Sequence, residues 1–250
     1  MNDLIQQFNH ITDHFFSQVS TCKINYGEFI SFTTGVQASG LNPVFVRNIS
    51  SRFLDILKSC EIYYMQKGLP WALLLPESLS SPELKNSLKH HGFSLVDKGI
   101  VMSCDLTGLT LKTPSPPLHM TNMEKRLEEW GLPILEGFAS TEDNMKLYIK
   151  RHLTATQRSK GIWHFSAFIN GQIVSSLTLT ATDEHARIDD VATIPYYQKR
   201  GYASGLITLA LQHAHDMGVK TCFLEASLAG YGLYKRLGFK EIFNNYYYEK

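Results

Sequence analysis

No uninterrupted apolar run in the sequence approaches the roughly 20 residues needed to cross a bilayer, so no membrane-spanning helix is expected. The amino terminus, MNDLIQQFNHITDHFF, carries Asp3 where a secretory leader would carry a basic cluster, and no apolar core follows. Neither sign of charge is in excess. Lys plus Arg number 24 and Asp plus Glu 23, which removes the broad positive field that draws a protein to nucleic acid or to anionic lipid. Cysteine is scarce: Cys22, Cys60, Cys104 and Cys222 lie far apart without paired spacing, which suits neither a zinc module nor a disulfide framework. They read as reduced thiols, and the protein as cytoplasmic, with no nucleic-acid or membrane partner. The ten histidines offer no Cys/His cluster, and His213-x-His215 on a helix would not face one ligand, so no metal is expected. A GxxxxGK[ST] loop is missing as well. Gly230-Tyr231-Gly232 runs on to Lys235 where a dinucleotide fold would place its third glycine, so neither an NTPase nor a nicotinamide enzyme is supported.

What is present is an ordinary globular composition, 44% hydrophobic over 250 residues, enough for one large or two small domains. Between Cys104 and Met120 the prolines Pro114, Pro116 and Pro117 forbid a helix and favour an extended connector. The expected division is therefore 1–106, a linker over 107–120, and 121–250. After the linker, helices are expected over 122–138 and 141–154, with Ser140 or Thr141 capping the second. Alternating runs at 164–169 and 173–180 flank Asn170-Gly171, the strongest short signal for a tight hairpin. Another strand is expected over 186–194. Leu206, Ile207, Ala210, Leu211, Ala214 and Met217 then form one face of a helix that ends at Gly218. A buried strand at 219–225, a short helix at 229–237 and a final strand pair through FKEIF and YYYEK complete the chain. In the first half, Ser81-Pro82-Glu83 opens a helix that ends in LKHHGF, as YKRLGF ends one near the carboxyl terminus. Each follows an apolar strand, WALLL or CFL, and the echo points to an internal repeat.

The turn PYYQKRGYAS, between the expected strand and the amphipathic helix, has the composition of an anion site. A helix amino terminus presents unpartnered N–H groups and partial positive charge. Gly201 lets the backbone curl around an anion, and Ala203 keeps the second approach small. Gln198, Lys199 and Arg200 add donors and charge suited to a pyrophosphate.

In this order, Gln198-x-x-Gly201-x-Ala203, a helix, a strand and Leu233-Tyr234-Lys235-Arg236-Leu237-Gly238-Phe239 resemble the GNAT superfamily of acyl-CoA-dependent N-acetyltransferases over roughly residues 120–250. The resemblance implies an α/β (α+β) fold with a mixed, mostly antiparallel central sheet flanked by helices. It implies acetyl-CoA as co-substrate, its pyrophosphate held by the backbone of Lys199, Arg200, Gly201, Tyr202, Ala203 and Ser204. The arm would run along Val191, Ala192 and Thr193. Ser227 stands where many members have an Asn that touches the coenzyme arm. Residues 1–106 have no second Q/R-x-x-G-x-G/A motif, so they fit a degenerate copy of the same fold, with one coenzyme site in the chain.

Acetyl transfer to a small-molecule or peptide amine needs a neutral nitrogen, a polarised carbonyl and a proton for the leaving thiolate. Backbone N–H groups near Val191 and Ala192 would polarise the carbonyl. Tyr234 is the candidate acid, since a phenol is protonated at pH 7. Asp189 and Glu225 compete as base. Strand alternation places Asp189 with Val191 and Thr193, opposite Asp190, so that one of the two aspartates faces the acceptor cleft. The competing function is a module that binds acyl-CoA to sense it, without turnover. Nothing in the sequence marks oligomeric state.

Overall fold

Ser81 and Thr141 cap two helices as their hydroxyls allow, each oxygen accepting a backbone N–H three residues on, from Leu84 and from Asn144, both at 3.2 Å. The structure is a computed structural model that describes residues 2–108 and 118–250, so Pro114, Pro116 and Pro117 lie outside it. The chain runs α1 (Asn2–Val19), β1 (Cys22–Asn25), β2 (Phe29–Thr33), β3 (Pro43–Val46), α2 (Phe53–Lys67), β4 (Ala72–Pro76), α3 (Pro82–His90) and β5 (Ser94–Asp105). It continues through β6 (Met120–Asn122), α4 (Leu127–Gly137), α5 (Glu142–Arg158), β7 (Ile162–Ile169), β8 (Gln172–Ala181) and β9 (His185–Thr193). The last elements are α6 (Tyr202–Asp216), β10 (Thr221–Ala226), α7 (Leu228–Arg236) and β11 (Lys240–Glu249). Asn170 and Gly171 both take positive φ, 52° and 79°, and close the β7–β8 hairpin as their residue types favour.

Some expected elements differ in extent, and the helix expected over 141–154 runs on to Arg158. The helix expected from residue 122 starts at Leu127, because Met120–Asn122 pairs with β7 as an edge strand. The expected carboxy-terminal strand pair is one strand, β11, with two register shifts against β5. Asn244 and Asn245 stay in it rather than turning, because their side-chain amides donate to Glu77 at 2.6 Å and to Glu225 at 3.1 Å.

All eleven strands join one sheet in the order β1-β2-β3-β4-β11-β5-β10-β9-β8-β7-β6. Two neighbour pairs, β3 with β4 and β9 with β10, are parallel, and the others are antiparallel. The order is nearly symmetric about the central β11–β5 pair. The units β4–α3–β5 and β10–α7–β11 match, and their last strands are exchanged: β5 pairs with β10, and β11 with β4. At the end of each unit's helix a glycine in the left-handed region, Gly92 (φ 85°) or Gly238 (φ 95°), precedes a buried phenylalanine, Phe93 or Phe239. The echo LKHHGF/YKRLGF therefore has a topological counterpart.

One face of the sheet's second half packs against α6 and α7 through Ile188, Leu206, Ile207, Leu224 and Phe239. The other packs against α4 and α5 through Trp130, Ile134, Met145 and Tyr148, while Phe8 and Ile11 of α1 cover Val101 and Phe223. The strand exchange carries a testable consequence. A fragment of residues 107–250 lacks β5, which leaves β10 and β11 without the strand between them and uncovers Leu224 and Phe223. It should aggregate through its unpaired edges, while the full chain stays dispersed. Sedimentation of the two proteins checks this, and a monodisperse, folded fragment would contradict it.

Candidate functional site

The turn ahead of α6 begins with a single 3-10 turn over Pro195–Tyr197. Lys199 and Gly201 then take left-handed conformations, φ 60° and 87°, which bend successive N–H groups toward one side. None of the six backbone N–H groups from Lys199 to Ser204 donates to an acceptor among the described residues; the first helical bond there is Gly205 N–H to the Gly201 carbonyl, at 2.8 Å. Gln198 has another use: its Nε2 donates to the Thr193 carbonyl at 3.1 Å and ties the turn to the end of β9. The Arg200 guanidinium lies over the rings of Tyr196 and Tyr197, at 4.8 and 5.6 Å. The matching turn of the first half, between β3 and α2, is closed by its own side chains. The Ile49 N–H donates to Asn48 Oδ1 at 2.9 Å and the Arg52 N–H to Ser50 Oγ at 3.0 Å. The Asn48 N–H donates to the Glu28 carbonyl at 3.3 Å, and the Glu28 carboxylate accepts from the Ser50 hydroxyl. An anion there would meet a carboxylate and spent donors.

Beside the open turn the sheet splits. β9 and β10 pair only over His185–Thr221, Ala186–Cys222 and Arg187–Phe223. Beyond this, β9 stays with β8 and β10 with β5, so the β9 backbone from Ile188 onward faces a gap. Val191 packs on the α6 face, whereas Ala192 packs on the α4 face, where a Cβ on Gly137 would come within 3.0 Å of the Ala192 Cβ. Ser175 Oγ donates to the Ala192 carbonyl at 2.8 Å and lies 3.0 Å from the buried Thr193 hydroxyl. Ser227 caps α7, its oxygen accepting the Gly230 N–H at 3.2 Å. Tyr234 sits edge-on to Phe239 at 6.0 Å, and burial, helped by the charge of Asp189, holds its phenol well above the usual range. It keeps its proton throughout the physiological range.

The three acids separate by environment. The alternation expected along β9 breaks at Asp190, which has φ 57° and forms a bulge opposite Leu177. The extra residue turns Asp190 onto the same face as Asp189 and leaves Val191 on the other, so the expected pairing of Asp189 with Val191 and Thr193 is corrected. Buried Arg187 holds Asp189: its Nε donates to both carboxylate oxygens at 2.9 Å, and its Nη1 donates to Thr12 of α1 at 2.7 Å. Glu225 feels the same guanidinium, accepts from Asn245, and lies across β5 at Gly99, where a Cβ would collide with its Oε1. Among the described residues Asp190 has no cation in hydrogen-bond reach. Tyr148 donates to its Oδ1 at 2.9 Å and Thr178 to its Oδ2 at 2.6 Å. Burial, and then the neighbouring Asp189 charge, raise its carboxyl to about 7.

Behind Asp190 lies a buried imidazole pair that sequence reasoning missed. His152 Nδ1 and His164 Nε2 share a proton contact at 2.7 Å, and His152 Nε2 is 3.8 Å from Asp190 Oδ2. Trp130 packs 4.8 Å from both rings. Burial keeps both imidazoles neutral, pushing His164 down to about 3 and His152 well below its ordinary value. Tyr148 and His152 stand one turn apart on α5, and that spacing was the available signal. On the α4–α5 side of Asp190 is a cavity of about 430 Å³, bounded by Ile134, Phe138, Met145 and Tyr148, and by Val36 and Leu41 of the first half. Among the described residues no group of three His, Cys, Asp or Glu is placed to hold a metal ion, and no helix is long and apolar enough to cross a membrane.

Comparison with known proteins bears on the family and the fold. Residues 121–239 match the acetyltransferase (GNAT) family. Over nearly its whole length the chain is similar to a GCN5-related N-acetyltransferase from Kribbella flavida, with TM-score 0.70 and 12% identity, covering 98% of this chain and 95% of that one. It is also similar to a GCN5-related N-acetyltransferase from Sphaerobacter thermophilus (TM-score 0.63, 18% identity, 89% and 76% covered). A tandem GNAT protein from the clavulanic acid biosynthesis pathway gives TM-score 0.60 at 12% identity, with 89% and 78% covered. No curated protein sequence matches the chain significantly. The chain thus contains a GNAT-family acetyltransferase domain, set in a fold shared with GNAT proteins that include tandem forms.

Proposed function

We propose that the protein transfers an acetyl group from acetyl-CoA to a primary amine by direct attack in a ternary complex. The observation that carries this reading is the run of unpartnered N–H groups from Lys199 to Ser204, placed at the head of α6 beside the split between β9 and β10. Those donors, with Lys199 and Arg200 at the rim, suit a pyrophosphate, and the gap along Val191, Ala192 and Thr193 suits the arm that follows it. The coenzyme supplies the activated acetyl group. In this reading residues 121–250 carry the chemistry and residues 1–106 form the companion half.

Each remaining requirement falls to a residue of this chain. Asp190, at about 7, is close to the working pH of a general base, whereas Asp189 and Glu225 serve to neutralise Arg187. Asp190 takes the proton of the amine as the N–C bond forms. N–H groups of the bulged strand near Val191 and Ala192 stabilise the charge that develops on the thioester oxygen. As the C–S bond breaks, Tyr234 gives its proton to sulfur. Release of free thiol from acetyl-CoA in the presence of amines tests the reading directly; coenzyme binding without any release would favour the sensing role instead. Tyr234→Phe should lower kcat by about 100-fold with acetyl-CoA affinity retained. A variant that kept full turnover would remove Tyr234 as the acid.

A further inference from the structure

We infer that the acceptor is a small primary amine carried on an apolar body, and that the first half of the chain builds one wall of its site. This rests on the acetyl-transfer reading above and deepens it. The cavity beside Asp190, about 430 Å³, lies in the size range of small-molecule sites. Its walls are mostly apolar: Val36 and Leu41 on one side, Ile134, Phe138 and Met145 on the other. Among the described residues Asp190 is the one carboxylate that lines it, and no lysine or arginine does. The other polar side chains at its edge are largely committed. Thr141 caps α5, Tyr148 donates to Asp190, and Asn144 is bonded to Gln37. A single ammonium therefore finds a partner. A second ammonium, or a ring of hydroxyls, would lose water and find none.

The wall from the first half is held rigidly. Asn42 is fully buried, and its side chain accepts from the Thr34 and Gly35 N–H groups at 3.1 and 3.2 Å. Its amide nitrogen donates to the carbonyls of Val36 (2.8 Å), Ala38 (3.2 Å) and Pro70 (2.8 Å). From the second half, Arg151 Nε donates to the Thr34 carbonyl at 2.6 Å, and Asn144 exchanges two hydrogen bonds with the Gln37 backbone, both 3.1 Å. Loop 34–42 is thus tied on both sides and pre-formed against α5, which limits the ordering cost when an apolar ligand enters. Asp190 meets the cavity one residue before Val191, their Cα atoms about 3.8 Å apart, and on the transfer reading the acetyl group is offered along that stretch of β9. The charge that attracts the ammonium is then also the base that takes its proton.

The test uses the full-length protein. Acetyl-CoA affinity is measured first by calorimetry, and thiol release is then followed with n-propylamine, n-hexylamine, 2-phenylethylamine, spermidine and glucosamine. The expected kcat/KM for hexylamine and phenylethylamine exceeds that for each of the other three by about tenfold or more. Leu41→Asp should lower kcat/KM for hexylamine by about tenfold or more, with acetyl-CoA affinity within about twofold of wild type. Spermidine or glucosamine turned over as well as hexylamine, or a Leu41→Asp variant that binds the coenzyme and acetylates hexylamine normally, would overturn the inference. So would coenzyme binding with no amine acetylated. Binding without acetylation, like failure to bind acetyl-CoA at all, removes the underlying transfer reading as well, whereas a wrong amine preference or an active Leu41→Asp variant removes the acceptor inference alone.

Discussion

Replacing Asp190 with Asn should lower kcat/KM for amine acetylation by about 100-fold or more at pH 8, while acetyl-CoA binding stays intact. The reason is the division of labour among three buried acids. Asp189 and Glu225 share Arg187, so a proton placed on either would break a charge pair; Asp190 is held only by two hydroxyls. With its carboxyl at about 7, it is ionised above neutrality and can accept a proton from an ammonium without being tied to a cation. The wild-type pH–rate profile should therefore bend near pH 7. In the Asn variant that bend should disappear, leaving only the rise that follows the amine's own deprotonation. An unchanged profile in Asp190→Asn would transfer the role elsewhere.

The same substitution should act on stability with a sign that depends on pH. Folding raises the Asp190 carboxyl from its usual value of 3.8 to about 7, so between these limits the folded state holds more protons than the unfolded state. Stability then falls as pH rises through this window, and the full penalty of a buried, ionised carboxylate is present above it. Asn carries no such penalty. The variant should melt at least ~3 °C above wild type at pH 8, and the difference should shrink toward pH 4, as thermal denaturation at the two pH values would show. More activity at the expense of stability is a common state for a catalytic group.

Gly201→Val should weaken acetyl-CoA binding by about 100-fold or more, because two effects coincide at that residue. At φ 87° a β-branched side chain is strained by about 1–3 kcal/mol, and relief of that strain turns the N–H groups of the first α6 turn away from a common point. On the acetyl-CoA reading the added Cβ would also stand where the anion approaches the backbone. Calorimetry on a folded variant checks this. If Gly201→Val bound acetyl-CoA as tightly as wild type, the pyrophosphate would not sit at this turn. Gly201→Ala, with the same strain in lesser bulk, should fall between the two.

Much of the local structure was legible because its causes lie within a few residues. Asn170-Gly171 turns a hairpin, Ser81 and Thr141 cap helices, and Gly201 opens a run of N–H groups, each through the conformations that its own side chain permits. The acids were less legible. Alternation is a rule for unbroken strands, and the bulge at Asp190 is stabilised from outside the strand, by Tyr148 on α5 and Thr178 on β8. His152 and His164 are far from any metal-like spacing, and only the packing of α5 on β7 brings their rings to 2.7 Å. The expected final strand pair became one strand because its amides are satisfied by Glu77 and Glu225, residues that a local reading has no reason to connect.

By itself the sequence determined where backbone donors would be left open and which strand and helix would frame them, since glycine, proline and capping chemistry act over a single turn of chain. Tertiary structure alone decided the exchange of β5 and β11, the bulge at Asp190, and the cavity that joins the two halves. Those features depend on contacts such as Arg151 with the Thr34 carbonyl, 117 residues apart, and on burial, which decides whether a carboxylate is neutralised by a guanidinium or left to titrate. Local propensity carries no information about either, because both arise only once distant segments have displaced the water between them.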